Sequence, residues 1–254
     1  MQASERPWQT LVGVGIVLAL IPLAFRMEPA RFAPFLEGST WRFLALGLLL
    51  TLEASAIAIL ASIPLALFFA LARLSGPLWL RYPVIALVEG IRALPLLGLM
   101  FYLFLRLSAL GRQLGIEALT RPDAAVIAAL WLYTGAVNGE ALRAAILSLP
   151  RGQWEAARSL GLTYGQAMRL VILPQAFRRA LPPLVAQFAT LVKDTSLGAI
   201  IGFIELYRRG VILFQGERNP METLYVVSVI YFIVNYTLGR LAGTLERQLG
   251  LHRG

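Results

Sequence analysis

Long stretches of apolar side chains dominate this sequence and limit what it can fold into. The stretch 7–25 carries no charge, and 39–72 carries a single interior charge, Glu53. A helix that crosses a bilayer core needs about 20 apolar residues, and both stretches supply them. Charged residues make up 15% of the chain, against about 25% in soluble domains. The sequence therefore predicts an all-α integral membrane protein.

Six stretches are long and apolar enough to be predicted as membrane spans. Pro7 to Phe25 would also fit a signal peptide because Arg6 precedes it, but the following residues offer no small-x-small cleavage site. A retained helix is favoured, so residues 1–38 are interpreted as an added helix with its outer loop and 39–254 as the main domain. The predicted spans are 7–25, 39–72, 84–105, 124–142, 183–204 and 222–239.

Composition excludes several classes of function. The net charge of +9 comes almost entirely from arginines that lie between apolar stretches. Because they form no continuous stripe, they indicate a membrane surface rather than nucleic acid. The sequence has no cysteine, and its one histidine, His252, lies in the last three residues. Thiolate metal sites, a cysteine nucleophile and a histidine-based triad are therefore excluded. An intramembrane enzyme is not expected either, because the predicted spans hold only one aspartate, Asp194, and so offer no aspartate pair.

The loop 143–182 gives the strongest indication of orientation. Six spans place both termini on one side of the membrane, and short cytoplasmic loops carry an excess of basic residues. We therefore expect this loop and both termini to be cytoplasmic. The loop holds Arg143, Arg151, Arg158, Arg169, Arg178 and Arg179.

Local signals within that loop predict two short helices. Pro150 and Gly152 break the preceding helix, and residues 153–160 are good helix formers. Gly161 permits a left-handed turn, after which a second amphipathic helix is expected to end before Pro174. Such a pair suits a groove in a partner protein, but it would also suit an anionic lipid surface. The side chains expected on one outward face are Trp154, Ala157 and Leu160.

One spacing in this loop resembles a known signature. Glu155-Ala156-Ala157 is followed by Gly161 after three residues, by Val171 after nine more, and by Leu173-Pro174. This resembles the EAA signature of ABC importer membrane subunits, with Val171 where isoleucine is commoner. The segments 138–146 and 181–206, and less specifically 47–55 and 89–97, resemble the polar amino-acid branch of that family. The resemblance covers about residues 44–248, and Val137-Asn138 departs from the branch's usual pattern.

The resemblance implies a permease subunit of an ATP-driven importer for polar amino acids, with a five-helix type I core. The segment 150–174 would be a coupling loop that docks into a separate ATPase. ATP and magnesium would bind that partner, because this chain lacks the G-x-x-x-x-G-K-[ST] phosphate loop. The implied coupling residues are Gln153, Trp154, Glu155, Ala156, Ala157, Leu160 and Gly161.

The resemblance also implies an assembly in a bacterial inner membrane. It would contain two ATP-binding subunits, a second permease subunit that is identical or homologous, and an extracytoplasmic solute-binding protein. Lipid is the remaining partner, and no nucleic acid is expected. The alternative interpretation is a membrane receptor or scaffold whose loop binds a signalling partner.

Ionisable residues inside the predicted spans are costly in lipid and usually face a protein interior or a water-filled path. They would either hold helices together or contact the transported amino acid. For Lys193 and Asp194 the structural role is favoured. Glu140, close to Asn138 and Arg143, is expected to form a local salt bridge. The candidate positions are Glu53, Glu140, Lys193, Asp194, Thr195 and Ser196.

Overall fold

The computed structural model describes residue 15 and residues 20–248, apart from the side chains of residues 242 and 245–248. Within this part of the chain all regular structure is helical, which confirms the predicted all-α fold. Three 3-10 segments, Pro29–Leu36, Glu117–Thr120 and Thr195–Ile201, join longer helices. The α-helices are α1 (Gly38–Ser75), α2 (Leu78–Ala93), α3 (Leu96–Leu114), α4 (Pro122–Leu147), α5 (Arg151–Ser159), α6 (Tyr164–Ala167), α7 (Leu173–Asp194), α8 (Leu206–Glu217) and α9 (Pro220–Gln248).

Four helical stretches in the described residues are long and apolar enough to cross a membrane, or five if a bent pair counts as one span. Three of them contain the predicted spans 39–72, 124–142 and 222–239. Most of the predicted span 7–25 lies outside the described residues. The four stretches are Gly38–Ser75, Pro122–Leu147, Tyr164–Ile201 and Pro220–Leu241.

The predicted span 84–105 falls on two helices rather than on one straight helix. The chain forms α2 and α3 instead, and their axes bend by 109°. Leu94 has extended backbone angles (φ −75°, ψ 140°) and is followed by Pro95. A proline disfavours helical geometry in the residue before it and lacks the N–H that a continuing helix needs. These two effects end α2 at this point.

The prediction that the second short helix ends before Pro174 is wrong. A π-helical turn, Met168–Ile172, connects α6 to α7, and Pro174 lies in the first turn of α7. The Leu173 N–H bonds five residues back, to the Met168 carbonyl. This wider turn lets the chain stay helical through a residue that offers no N–H of its own. The predicted span 183–204 therefore begins within a longer helical run.

The chain divides into two compact units, residues 1–50 with 204–234 and residues 51–203 with 235–254. In the first unit, Phe35, Leu44, Leu206 and Val227 form a small buried cluster. The buried Glu205 carboxylate caps α8 by accepting the backbone N–H groups at its first turn. The predicted division of the chain at residue 38 stays a prediction.

In the second unit, α1 and α4 approach closely through small residues. A Cβ atom built on Gly139 would lie 3.0 Å from the Phe69 Cβ and 3.1 Å from the Ala66 carbonyl oxygen. The Trp131 indole donates a hydrogen bond of 2.9 Å to the Ala61 carbonyl. Small residues let backbones approach in membranes, where packing rather than the hydrophobic effect holds helices together.

A buried cluster in the second unit joins the end of α4 to the helices that follow it. In this cluster the C-terminal parts of α1 and α4 pack against α7, and the partly buried Trp154 packs against the cluster. The loop between α4 and α7 is therefore attached to the span helices by packing. The buried members are Ala70, Leu142, Ala145, Ile146, Leu149, Met168, Ile172, Ala176 and Ala180.

Replacing Gly139 with valine is expected to destabilise the protein, because its Cβ has no free space between α1 and α4. Overpacking of this kind costs about 1–3 kcal/mol, which corresponds to roughly 2–12 °C in the melting temperature. The measurement is thermal unfolding of the detergent-purified protein. The control is Gly98→Val, where the added Cβ meets nothing within 4 Å. Equal shifts in the two variants would contradict the close approach.

Candidate functional site

The predicted coupling segment is a short helix with a well-defined end. Pro150 precedes α5, and its carbonyl accepts a hydrogen bond from the Gln153 N–H. At the other end Gly161 has a φ of +74°, and the Leu162 N–H reaches back to the Ala157 carbonyl at 3.2 Å. This is the left-handed helix end that glycine favours. The turn at Gly161 therefore forms as predicted from sequence.

One side of α5 is turned towards its own chain. Ala157 is only 2% exposed, and Trp154 stacks on Tyr164 with ring centroids 5.2 Å apart. The Gln175 side-chain amide donates a hydrogen bond of 2.8 Å to the Gln153 side-chain carbonyl. These contacts fix α5 to the helices from which it projects.

The prediction that Trp154, Ala157 and Leu160 share one outward face is wrong. Leu160 is 78% exposed, whereas Ala157 is buried. Positions three residues apart drift by about 60° around a helix with 3.6 residues per turn, so a third position lies about 120° from the first. In addition, α5 ends at Ser159, so Leu160 lies beyond the helix, where the backbone changes direction.

The exposed side of α5 holds the residues that are open to a partner. Glu155 and Ala156 lie in the middle of this side, and Leu160 and Gly161 lie at its end. Among the side chains that the structure describes, the Glu155 carboxylate makes no hydrogen bond or ion pair. An exposed carboxylate beside small and apolar groups is thus left available on a helix whose opposite side is anchored.

The second helix of the segment begins with a capping box. The Thr163 hydroxyl accepts the Gln166 N–H, and the Gln166 side chain accepts the Thr163 N–H at 2.9 Å. This reciprocal pair fixes where the helix starts. It also fixes Tyr164, whose hydroxyl shares a hydrogen bond with the Ser75 hydroxyl at the end of α1.

Glu140 forms the local salt bridge that the sequence predicts. Its carboxylate lies 2.6 Å from an Arg143 nitrogen on the same helix. It also lies 2.9 Å from an Arg73 nitrogen on α1, which makes the two groups an ion pair. The geometry at this Arg73 nitrogen does not fit a hydrogen bond. Both arginines are mostly buried, so the negative charge of Glu140 is balanced by positive charges within the protein.

The other charged span positions are not matched in this way. Glu53 and Lys193 are exposed, and neither side chain makes an ion pair or hydrogen bond with the groups described. Asp194 is half-buried at the end of α7. The Thr195 and Ser196 hydroxyls bond back to the carbonyls of Val192 and Lys193, so both are satisfied by their own helical run.

Sequence reasoning missed two residues that the fold brings to this region, Arg73 and Tyr164. Arg73 interrupts an apolar helix two residues before its end, and that isolated charge was the available signal. Tyr164 follows the N-cap threonine of a short helix and carried no comparable signal. Glu89 and Arg92 on α2 lie three residues apart and form an ion pair of 3.4 Å.

Comparison with known proteins gives a family match over most of the chain. Residues 62–250 match the family described as binding-protein-dependent transport system inner membrane component. The glutamate transport system permease protein of Corynebacterium glutamicum is 33% identical over 225 residues, covering 88% of this chain and 81% of that protein. A probable glutamine ABC transporter permease protein of Bacillus subtilis is 38% identical over 214 residues, covering 80% and 92%.

A solved structure agrees with these relatives. The crystal structure of an amino acid ABC transporter with histidines has a TM-score of 0.73 to this chain at 30% identity. The match covers 82% of this chain and 94% of that one. At this level of identity and coverage, the two chains are related in sequence and have the same fold.

The two sides of α5 are expected to differ in thiol labelling. The sequence has no cysteine, so single-cysteine variants report one position each. Because Ala156 is exposed and Ala157 is 2% exposed, Ala156→Cys should react with a water-soluble maleimide at least about tenfold faster than Ala157→Cys. The rates are measured on the purified chain without partners. Equal rates would contradict the inward orientation of Ala157.

Proposed function

The chain belongs to the family of binding-protein-dependent transport system inner membrane components and is the permease subunit of an amino-acid ABC importer, and on that premise we propose that its segment 150–174 is the docking site of a separate ATPase. Permease subunits of this family span the inner membrane, work with ATPase and substrate-binding partners, and lack ATPase activity themselves.

The observation that carries this proposal is the two-sided character of α5. Trp154 and Ala157 hold its inner side against the span helices, and Glu155 and Ala156 remain exposed on the outer side. A short helix that lies in a partner's groove transmits force only if its far side is attached to the part that must move. The exposed carboxylate of Glu155 suits an arginine of the partner.

We place this segment, and both termini, on the cytoplasmic side. The loop 143–182 carries six arginines, which favours the cytoplasmic face. The ATP and magnesium of the reaction would bind the ATPase and would supply the free energy for the change between inward- and outward-open states.

The full assembly that we propose contains two ATP-binding subunits, a second permease subunit and an extracytoplasmic solute-binding protein. The second permease is identical or homologous to this chain. The substrate is proposed to be a polar amino acid, because the relatives are described as glutamate and glutamine transport proteins. A receptor or scaffold function has no support among those relatives.

The unmatched charges of Glu53 and Lys193 are proposed to face the translocation path or the second permease subunit. A charge left on a lipid-facing surface is expensive, so an exposed charge within a span indicates a protein or aqueous neighbour. Lys193 suits the carboxylate of an amino acid and Glu53 suits its ammonium group. Asp194, half-buried beside Lys193, would lie near the same path.

Changing the docking helix is expected to abolish transport without removing the chain from the membrane. Gly161→Asp places a side chain where φ is +74° and adds a charge to the exposed end of α5. Glu155→Arg reverses the exposed charge. For either variant, uptake of a radiolabelled mixture of the common amino acids should fall at least about 100-fold, as expected when a central interface contact is replaced by repulsion.

The matched control for this experiment is Gly38→Asp, which lies outside the proposed docking segment. Gly38 is exposed, has no neighbour that an added Cβ would meet, and is the first residue of α1, where an acidic side chain is favourable. Its uptake should stay close to wild type. Membrane insertion is checked by immunoblot and ATPase binding by co-purification. Wild-type uptake by Gly161→Asp and Glu155→Arg would sink the docking proposal.

Removing the charge of Lys193 tests whether this residue faces the translocation path. Lys193→Gln should lower uptake at least about tenfold, as expected for the loss of one charged contact to substrate, while ATPase co-purification stays intact. The control is Arg106→Gln, a basic residue on α3 that has no role in the proposed path. If both variants transport alike, Lys193 does not face the substrate.

A further inference from the structure

Arg73 joins three helices near the end of α1. Its side chain is only 11% exposed. One guanidinium nitrogen lies 2.8 Å from the Glu89 carboxylate on α2, and another lies 2.9 Å from the Glu140 carboxylate on α4. Among the ion pairs of the described residues, no other cation contacts carboxylates on two different helices.

The remaining charges of this cluster are paired along single helices. Arg143 holds Glu140 from three residues away on α4, and Arg92 holds Glu89 from three residues away on α2. Arg73 makes the close ion pairs that connect these two helices, and Arg92 also attracts Glu140 at longer range. The Arg73 side chain is 11% exposed and that of Glu140 is 23% exposed, so solvent screens this ion pair weakly. Glu89 is 52% exposed, so the ion pair between Arg73 and Glu89 is screened more strongly.

The same turn of α1 contacts the coupling segment. Ser75 lies two residues after Arg73, and its hydroxyl is hydrogen-bonded to the Tyr164 hydroxyl. The Tyr164 ring stacks on Trp154 of α5 with an angle of 14° between the planes. A continuous set of contacts thus runs from α5 through Tyr164 and Ser75 to Arg73.

We propose that this last turn of α1 transmits displacement of α5 to α2 and α4, with Arg73 as the positioning residue. The inference rests on the proposed docking of an ATPase to α5. A helical turn moves as a unit, so a shift of Ser75 also shifts Arg73. The helices α2 and α3 meet at a bend of 109°, so a displacement of α2 changes the angle between them. Packed helices of this kind switch between discrete arrangements rather than deforming continuously.

A purely structural role would have different consequences. If the cluster only stabilised the fold, its loss would lower the amount of assembled transporter and leave each remaining transporter working normally. If it transmits movement, the assembled transporter would hydrolyse ATP but move less substrate for each ATP. The ratio of uptake to hydrolysis separates the two roles.

The first test removes the single hydrogen bond between Ser75 and Tyr164. Tyr164→Phe keeps the ring stacked on Trp154, and Ser75→Ala removes the other hydroxyl. The complex with its ATPase is reconstituted in liposomes with the binding protein and the radiolabelled amino-acid mixture. Each single variant should lower uptake per ATP about 3- to 10-fold, and the double variant should lower it no further, because both changes remove one interaction.

The second test addresses Arg73 directly. Arg73→Gln should lower uptake per ATP at least about tenfold, while ATPase co-purification and hydrolysis without substrate are retained. Arg73→Lys should recover part of the ratio, since it keeps the charge but cannot bridge two carboxylates as a guanidinium does. The matched control is Arg81→Gln, an exposed basic residue on α2 that lies outside the cluster, and it should resemble wild type. If Arg73→Gln fails to insert, the Ser75 and Tyr164 variants still decide.

The outcomes separate this inference from the docking proposal. An unchanged ratio of uptake to hydrolysis in Tyr164→Phe, Ser75→Ala and Arg73→Gln would overturn the transmission role, even if Gly161→Asp abolishes uptake. Equal effects of Arg73→Gln and Arg81→Gln would also overturn it. Full uptake by Gly161→Asp would instead overturn the docking of α5, on which this inference rests.

Discussion

A backbone inside lipid must satisfy its own hydrogen bonds, and the fold of this chain follows from that requirement. With no water to accept or donate, each span has to be a helix, and every helix break needs a local solution. At Pro95 the chain bends by 109° and begins a new helix. Before Pro174, which lacks an N–H donor, the chain forms a π-helical turn, and the helix continues through the proline. The same residue type therefore ends one helix and is tolerated within another.

The coupling segment shows how a small helix can be both attached and available. Its inner side is fixed by the stacking of Trp154 on Tyr164 and by the burial of Ala157. Its outer side presents Glu155 without a partner among the described side chains. A partner that binds the outer side would therefore displace the span helices rather than a loosely held loop. Gly161 matters because only a left-handed turn lets the chain reverse there without strain.

The charged side chains of the spans fall into two groups. Glu140 is matched by Arg73 and Arg143, so its charge is satisfied inside the protein. The Glu53 and Lys193 side chains are exposed and make no ion pair or hydrogen bond within the described residues. Charges of the first group connect helices, and charges of the second group require a neighbour beyond this chain or an aqueous path. The proposed transport role applies to the second group alone, although residues of both groups have similar chemistry.

The sequence by itself determined the features that depend on neighbouring residues. Apolar length predicted the spans 39–72, 124–142 and 222–239, and a glycine after a short helix predicted the turn at Gly161, because span length and backbone preference are local properties. The tertiary structure alone decided the bend between α2 and α3, the inward orientation of Ala157 and the partners of Arg73. These depend on which distant helices pack together, and a pattern along one helix does not contain that information.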